Sequence, residues 1–339
     1  MDISKLHPED TAAIDELWEM WRLGVERDTA SPKLRTYSKT IFLAQLGNIH
    51  PDEHNEFRVA RVDGRIVGFV QIGVPLRDNK HAAHIHGTVH PEYRRRGIGT
   101  ALLTQATQSS RDQGRTLQTS NTLETLPDGP LCDHAGRDFL LHHGFAVGLP
   151  MRLRALRLSD SEGEIERELL DESWPKAEGY ELVQWTGATP AEHVDGAAAL
   201  ASRLMSDVPQ GDLDFEEVIF DAERYLRKES VDFQSGWDFT CTYVRHVESG
   251  ELVAHSVIAV SSDHPSVGNQ WITLVHPDHR GHRLGMIVKV ENHRLLRRTK
   301  PEVTWIKTGN AESNEHMVAI NEQLGFTELC RYIAFQREI

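Results

Sequence analysis

Cysteine is scarce in this chain of 339 residues. Cys132, Cys241 and Cys330 stand far apart and form no Cys-x-x-Cys pair. That spacing excludes a disulfide scaffold and a thiolate zinc site, and leads us to expect a reducing, cytoplasmic setting. No run of 18 apolar residues and no basic-plus-apolar leader occurs, so neither a membrane span nor a signal peptide is expected. Basic residues are in deficit: 37 Lys and Arg against 51 Asp and Glu leave a net charge of −14, which argues against nucleic acid as the principal partner. The same balance favours neutral or cationic ligands. Hydrophobic content of 39% and charged content of 26% are those of an ordinary soluble protein, and the length suffices for two domains with separate cores.

What the chain does have is one informative stretch, His90 to Leu103, reading His-Pro-Glu-Tyr-Arg-Arg-Arg-Gly-Ile-Gly-Thr-Ala-Leu-Leu. An apolar-rich segment, Ala82 to Val89, runs into it, and a helical pattern, Thr100 to Arg111, runs out. A strand, a glycine-bearing turn and a helix start in that order form an anion site, because the first backbone N–H groups of a helix lack intrahelical partners. Gly97 and Gly99 allow close backbone approach to a phosphate, and Arg94, Arg95 and Arg96 add positive charge. A P-loop fails because no Lys follows Gly99. A dinucleotide fingerprint fails because Leu102 stands where Gly or Ala is needed.

A second copy follows roughly 180 residues later. Leu274 to Gly285 reads Leu-Val-His-Pro-Asp-His-Arg-Gly-His-Arg-Leu-Gly, so that Arg280 matches Arg94 and Gly285 matches Gly99. Landmarks on either side keep step: the hairpin signals Asp63-Gly64 and Ser249-Gly250 precede the two loops, and Gly144-Phe145 and Gly325-Phe326 follow them. A repeat of this length means a duplicated domain rather than a solenoid.

The pattern Arg-x-x-Gly-x-Gly after Val89-His90-Pro91 resembles the pyrophosphate loop of the GNAT superfamily of N-acetyltransferases. The resemblance spans both halves and is similar in layout to the mycothiol synthase type. It is strongest over residues 57–111 and 239–326 and weak in the two opening segments. It implies an α/β fold of two tandem domains, each a mixed, mostly antiparallel sheet flanked by helices, over residues 1–158 and 179–339 with a connector at 159–178. It implies acetyl-CoA as acyl donor, a small amine as acceptor, and no metal. Alternatives are a non-catalytic acyl-CoA-binding regulatory protein and a protein N-acetyltransferase.

Periodicity refines the layout. Ile14, Leu17, Trp18, Trp21 and Val25 mark an opening helix, and Thr40 to Leu46 a second. Phe57 to Val62 and Arg65 to Val74 predict a hairpin, and Met151 to Leu158 the last strand of domain one. In domain two, Thr189-Pro190-Ala191-Glu192 predicts a capping box opening a helix to Met205. A carboxylate-bearing loop follows at Asp207 to Asp214, then a helix Phe215 to Lys228. Tyr332 to Arg337 ends the chain, within the expected second domain of 179–339.

By resemblance, the coenzyme contacts are Val89, Arg94, Arg95, Arg96, Gly97, Ile98, Gly99 and Thr100 in one half. In the other they are Val275, Arg280, Gly281, His282, Arg283, Leu284, Gly285, Asn310 and Asn314. Val89 and Val275 take the position whose backbone N–H meets the acyl carbonyl in the family. Arg283 departs from the pattern by replacing glycine, and its guanidinium offers a phosphate grip of its own. The family's thiolate-protonating tyrosine is replaced by Leu140 and Asn321.

Acyl transfer to an amine needs a proton acceptor, since an alkylammonium of pKa near 10.4 is neutral only about once in a thousand molecules at pH 7. His84 and His86, two apart on the strand, face one side and are the candidate bases; the matching Gln270 and Ile272 cannot serve. Polar strand surface is the plain alternative for both. His84, His86 and His90 lack a further ligand at metal spacing. Asp207, Asp212 and Asp214 are candidate substrate contacts, with solvated turn residues as the alternative. Helix capping is an equally physical role for Asn310 or Asn314. Cys132 and Cys330 have no adjacent His and are read as core or surface cysteines rather than acyl-accepting nucleophiles.

Overall fold

The computed structural model describes residues 1–28, 38–126, 134–159 and 163–339. Two units emerge from its contacts: Met1–Met151 with Gln210–Glu216 and Cys330–Ile339, and Arg152–Pro209 with Glu217–Leu329. The chain runs β1 (Asp2–Lys5), α1 (Thr11–Asp28), α2 (Lys39–Leu46), β2 (Glu53–Val62), β3 (Arg65–Pro75), β4 (Ala82–Val89), α3 (Ile98–Asp112), β5 (Leu117–Glu124), α4 (Ala135–His142) and β6 (Ala146–Arg157). It continues with α5 (Glu164–Ser173), β7 (Tyr180–Thr186), α6 (Val194–Ser202), α7 (Leu204–Asp207), α8 (Ala222–Gln234), β8 (Trp237–His246), β9 (Leu252–Ser261) and β10 (Val267–Val275). Then follow α9 (Leu284–Thr299), β11 (Trp305–Ala311), α10 (Glu315–Gln323) and β12 (Thr327–Glu338).

In the first unit the strand order is β1-β2-β3-β4-β5-β12. Every pair is antiparallel except β4–β5, which is parallel. The second unit runs β7-β8-β9-β10-β11, again antiparallel except for the last pair. Each is the mixed, mostly antiparallel sheet flanked by helices that the repeat implies. Asp63 and Gly64 both have positive φ, 50° and 80°, and close the β2–β3 hairpin at the expected place.

Helices cover both faces of the first sheet, which is why nearly every residue of β3 is buried rather than alternate ones. Ile98, Leu102 and Ala106 of α3 pack on Val70, Ile72, Ala83 and Ile85. On the opposite face Leu17 and Trp21 of α1 and Phe42 of α2 pack on Phe57, Val59 and Phe69.

The last strand departs from expectation. Residues 331–338 of β12 pair with β5 of the first unit rather than closing the second. The parallel β4–β5 pair leaves the far edge of β5 open, and an antiparallel strand satisfies its backbone groups. Ile333 and Phe335 alternate into the α3 core, and Arg337 anchors the end. The Arg337 guanidinium donates to Gln118 Oε1 and Thr107 Oγ1 at 2.7 Å and to the His143 carbonyl at 2.7 Å, while covering the Phe145 ring.

Three smaller features also differ. The expected connector contributes α5, whose Glu166 is buried and ion-paired with Arg297, so it is part of the second unit's body. Thr189 does not cap: its hydroxyl donates to Glu229 Oε1 at 2.6 Å, and the regular helix starts later, at Val194. The helix expected from Phe215 starts at Ala222, where Asp221 accepts from Arg224 N–H at 2.7 Å.

Candidate active site

In the first unit β4 and β5 pair only from Ala82–Leu117 to His84–Thr119 and then part. The His90 N–H donates to the Val67 carbonyl, and Val89 stands opposite Gly68. In an antiparallel ladder that phase turns the N–H and C=O of Val89 away from β3, into the gap toward β5. The Val89 carbonyl is taken by Arg94, whose Nε donates to it at 3.0 Å. The Arg94 guanidinium also makes a two-pronged pair with Asp28 at the end of α1, at 2.9 and 2.6 Å.

The loop itself places two residues in the left-handed region, Arg95 at φ 63° and Gly97 at φ 79°. Alternation of this kind turns successive N–H groups inward and forms an anion nest. Gly97 is the N-cap of α3 and supplies no side-chain cap, so the free N–H groups of the first turn stay available. Arg96 lies over the Tyr93 ring at 5.1 Å, and the Thr100 hydroxyl is 3.2 Å from His143 Nε2.

The second loop repeats this geometry with the glycine moved. Gly281 at φ 90° takes the place of Arg95, and Arg283 at φ 59° the place of Gly97. Arg283 therefore keeps the turn despite its Cβ, and Leu284 and Gly285 begin α9 as Ile98 and Gly99 begin α3. β10 and β11 pair from Val267–Trp305 to Asn269–Lys307 and then part, and Arg280 Nε reaches the Val275 carbonyl at 3.4 Å. Arg280 also faces Asp207, at 3.8 Å. Asp28 and Asp207 are each the last residue of a helix, Thr11–Asp28 and Leu204–Asp207. Sequence reading missed Asp28, which lies 66 residues from Arg94 and carries no local motif. His282 turns outward to the Lys176 carbonyl at 3.0 Å.

His84 and His86 share one face of β4, on the side of α1. His84 keeps solvent access, with Nδ1 3.1 Å from Thr119 Oγ1 and Nε2 3.4 Å from Asn121 Nδ2. His86 packs against Trp21 and Phe69, ring centres 5.5 and 6.0 Å away. Desolvation holds both imidazoles below the ordinary value; His86 is lowered to about 4, with the neighbouring His84 adding to the effect. In the second unit Gln270 is buried, and its amide donates to Ser256 Oγ, to the Val257 carbonyl and to the Ile272 carbonyl.

At the positions of the family's tyrosine, Leu140 packs into the α3 core. Asn321 is wholly buried and held from two sides: Lys289 Nζ donates to its Oδ1, and its Nδ2 donates to Asn310 Oδ1 at 2.6 Å. Asn314 is the N-cap of α10, accepting from Met317 N–H at 3.2 Å. Lys289 was not anticipated; a lysine on a helix gives no sequence signal that it faces inward.

The three aspartates do not form one cluster. Asp207 belongs to the second unit, where Arg203 also binds it at 3.0 Å. Asp212 and Asp214 belong to the first unit, in segment Gln210–Glu216. There the Asp212 N–H donates to the Gly148 carbonyl, and the Gln336 side chain donates to the Asp212 carbonyl and accepts from the Asp214 N–H. Cys330 and Cys241 are buried, and Cys132 lies outside the described residues. Among the described residues no three His, Cys, Asp or Glu side chains are grouped to hold a metal ion, and no helix is long and apolar enough to cross a membrane.

A sequence profile of the acetyltransferase (GNAT) family matches residues 12–126. No curated protein matches the chain. Among solved structures, the chain is similar to a tandem GNAT protein from the clavulanic acid biosynthesis pathway, solved without acetyl-CoA. The two are 26% identical over 99% of this chain and 98% of that one, with a TM-score of 0.83. A GCN5-related N-acetyltransferase from Sphaerobacter thermophilus shares the fold at 15% identity and TM-score 0.67, covering 99% and 95% of the two chains. A glucosamine N-acetyltransferase region of a fungal multi-domain β-N-acetylglucosaminidase does so at 16% identity and TM-score 0.70, covering 99% of this chain and 38% of that one. Residues 12–126 thus match the acetyltransferase (GNAT) family, and the two loops, the two parted strand pairs and this full-length likeness give the whole chain the fold of a tandem GNAT protein.

Proposed function

We propose that the first unit transfers an acetyl group from acetyl-CoA to a small-molecule amine by direct attack on the thioester, in the cytoplasm. The second unit binds the coenzyme without turnover. The observation that carries this reading is the Val89 peptide, turned into the gap between β4 and β5 beside the anion nest, with His84 further back along the same strand at the root of that gap. Bound acetyl-CoA supplies an activated acyl group. The N–H groups of Ile98, Gly99 and Thr100 hold its pyrophosphate, and the Val89 N–H donates to the acyl oxygen as charge develops there.

His84, rather than the enclosed His86, accepts the amine's proton through a chain of water along the gap; a depressed pKa keeps its imidazole neutral and ready at pH 7. Leu140 provides no acid, and a thiolate of pKa roughly 8.5 departs without one. In the second unit neither Gln270, Ile272 nor Asn321 can exchange a proton, which favours binding alone.

The test is calorimetric titration with acetyl-CoA, and thiol release with a panel of primary amines, on wild type, Gly99→Glu and Gly285→Glu. A carboxylate at a helix start supports the helix while repelling a pyrophosphate. Two sites in wild type, one in each variant, and turnover lost only in Gly99→Glu are expected. Absence of binding by wild type refutes the acetyltransferase reading; turnover lost only in Gly285→Glu refutes the assignment of roles.

A further inference from the structure

Segment Gln210–Glu216 lies in the sequence of the second repeat but is built into the first unit. Its attachment is specific. Gly211 has φ 60°, and a Cβ there would stand 2.3 Å from the Gly148 carbonyl oxygen, so glycine is required at this approach. Leu213 fills the space over Gly148, where a Cβ would meet its Cδ2 at 2.3 Å. The Asp212 N–H donates to the Gly148 carbonyl at 2.9 Å. Gln336 of β12 grips both sides of Leu213: its Nε2 donates to the Asp212 carbonyl at 2.6 Å and its Oε1 accepts from the Asp214 N–H at 2.9 Å. Beyond it, Asn79 and Glu216 exchange hydrogen bonds at 2.6 and 2.7 Å.

The position of Gln336 gives this attachment a role. Gln336 stands directly opposite Thr119 on β5, and Thr119 is the register partner of His84 on β4. Opposed residues share a sheet face, so His84, Thr119 and Gln336 form one row across three strands, spanning roughly 10 Å at about 4.8 Å per strand. His84–Thr119 is the last pair before β4 and β5 part. The row therefore marks the root of the gap, on the face opposite α3, where Ile85, Ile333 and Phe335 point.

We infer that segment 210–216 is the acceptor-specificity wall of the first unit, clamped beside the reacting gap by Gln336. The inference rests on the acetyltransfer reading proposed above. The chain thus completes the first unit's substrate side with residues from its second half. Asp212 and Asp214 keep exposed side chains on the wall, and Asp214 lies 3.6 Å from His81. They supply a negative field that suits an acceptor arriving as its ammonium form.

The experiment uses the full chain and two loop-releasing variants, Gln336→Ala and Gly211→Val, with Asp212→Asn/Asp214→Asn as a third that keeps the loop seated. Initial rates are measured against a panel of primary amines comprising a diamine, an amino acid ester and an aminosugar, with acetyl-CoA binding by calorimetry alongside. The wall predicts an acceptor KM raised at least tenfold in both releasing variants and a changed ranking of the amines. Acetyl-CoA affinity and kcat should stay within twofold. The Asp double variant should lose preference for the diamine. Unchanged acceptor KM and ranking, with native circular dichroism, overturn the inference while leaving acetyltransfer intact. Parallel loss of acetyl-CoA binding and kcat overturns it in favour of a purely structural loop. Wild type that binds acetyl-CoA and acetylates none of the amines removes the acetyltransfer reading, and this inference with it.

Discussion

Lys289 offers a test of the second unit's interior. It lies on the inner side of α9 with none of its surface exposed; Nζ donates to Asn321 Oδ1 and sits 4.8 Å from the centre of the Phe326 ring. Desolvation, aided by the positive charge of Arg154, lowers its pKa from 10.5 to about 7. Between these values the unfolded chain binds a proton that the folded chain has lost, so wild-type stability rises as pH climbs from about 7 toward 10.5. At pH 7 the burden on folding is about 5 kcal/mol at most.

Lys289→Met keeps the chain length and removes that burden, while leaving Asn321 Oδ1 without its donor at a cost of roughly 1–3 kcal/mol. The variant should therefore be more stable than wild type by about 2 kcal/mol at pH 7. Near pH 10 the ionisation burden has fallen to about 1 kcal/mol, and the variant should become the less stable of the two. Urea unfolding followed by circular dichroism at pH 7 and pH 10, on both proteins, reads the crossing directly. A stability difference that is equal at the two pH values would show that Lys289 stays charged in the fold, and the reasoning would fail.

Removing residues 330–339 should prevent the first unit from folding, because β5 loses its partner and Arg337 its anchorage; proteolysis of the truncated chain should digest residues 1–151 while sparing much of the second unit. Asp28→Asn should cost about 1–2 kcal/mol, since the pair with Arg94 is half-buried and two-pronged, whereas Asp278→Asn on the exposed second loop should cost nothing measurable in the same thermal melts. The His86 ring resonances should show no titration between pH 5.5 and 8, because its pKa lies near 4; a midpoint near 6.5 would contradict its enclosure by Trp21 and Phe69. Arg283→Gly should raise stability by up to about 1 kcal/mol in chemical denaturation, as glycine carries no Cβ penalty at φ 59°.

Local patterns were enough for much of what depends on neighbours in sequence. The two Arg-led loops, the Asp63-Gly64 hairpin, the strand–loop–helix order and the duplication are all set by spacing, backbone permissiveness and hydrophobic period. The positive-φ positions were only half legible: glycine marks Gly97 and Gly281, but Arg95 and Arg283 adopt the same conformation because the surrounding turn holds them there. Placement of Thr189 failed for a related reason, since a hydroxyl that matches a capping pattern was drawn instead to Glu229, 40 residues away.

Tertiary structure alone decided which half each piece serves. Nothing in Tyr332 to Arg337 distinguishes a strand of one sheet from a strand of another; the open edge of β5 does. Nothing in Asp207 to Asp214 separates its carboxylates, yet Arg203 and Arg280 keep Asp207 in the second unit while Gly148 and Gln336 draw Asp212 and Asp214 into the first. The partners that make these choices lie far away along the chain. Sequence periodicity reports which face of an element is apolar, but the identity of the surface that covers it is fixed only when unpaired backbone edges and buried polar groups find their partners in the folded chain.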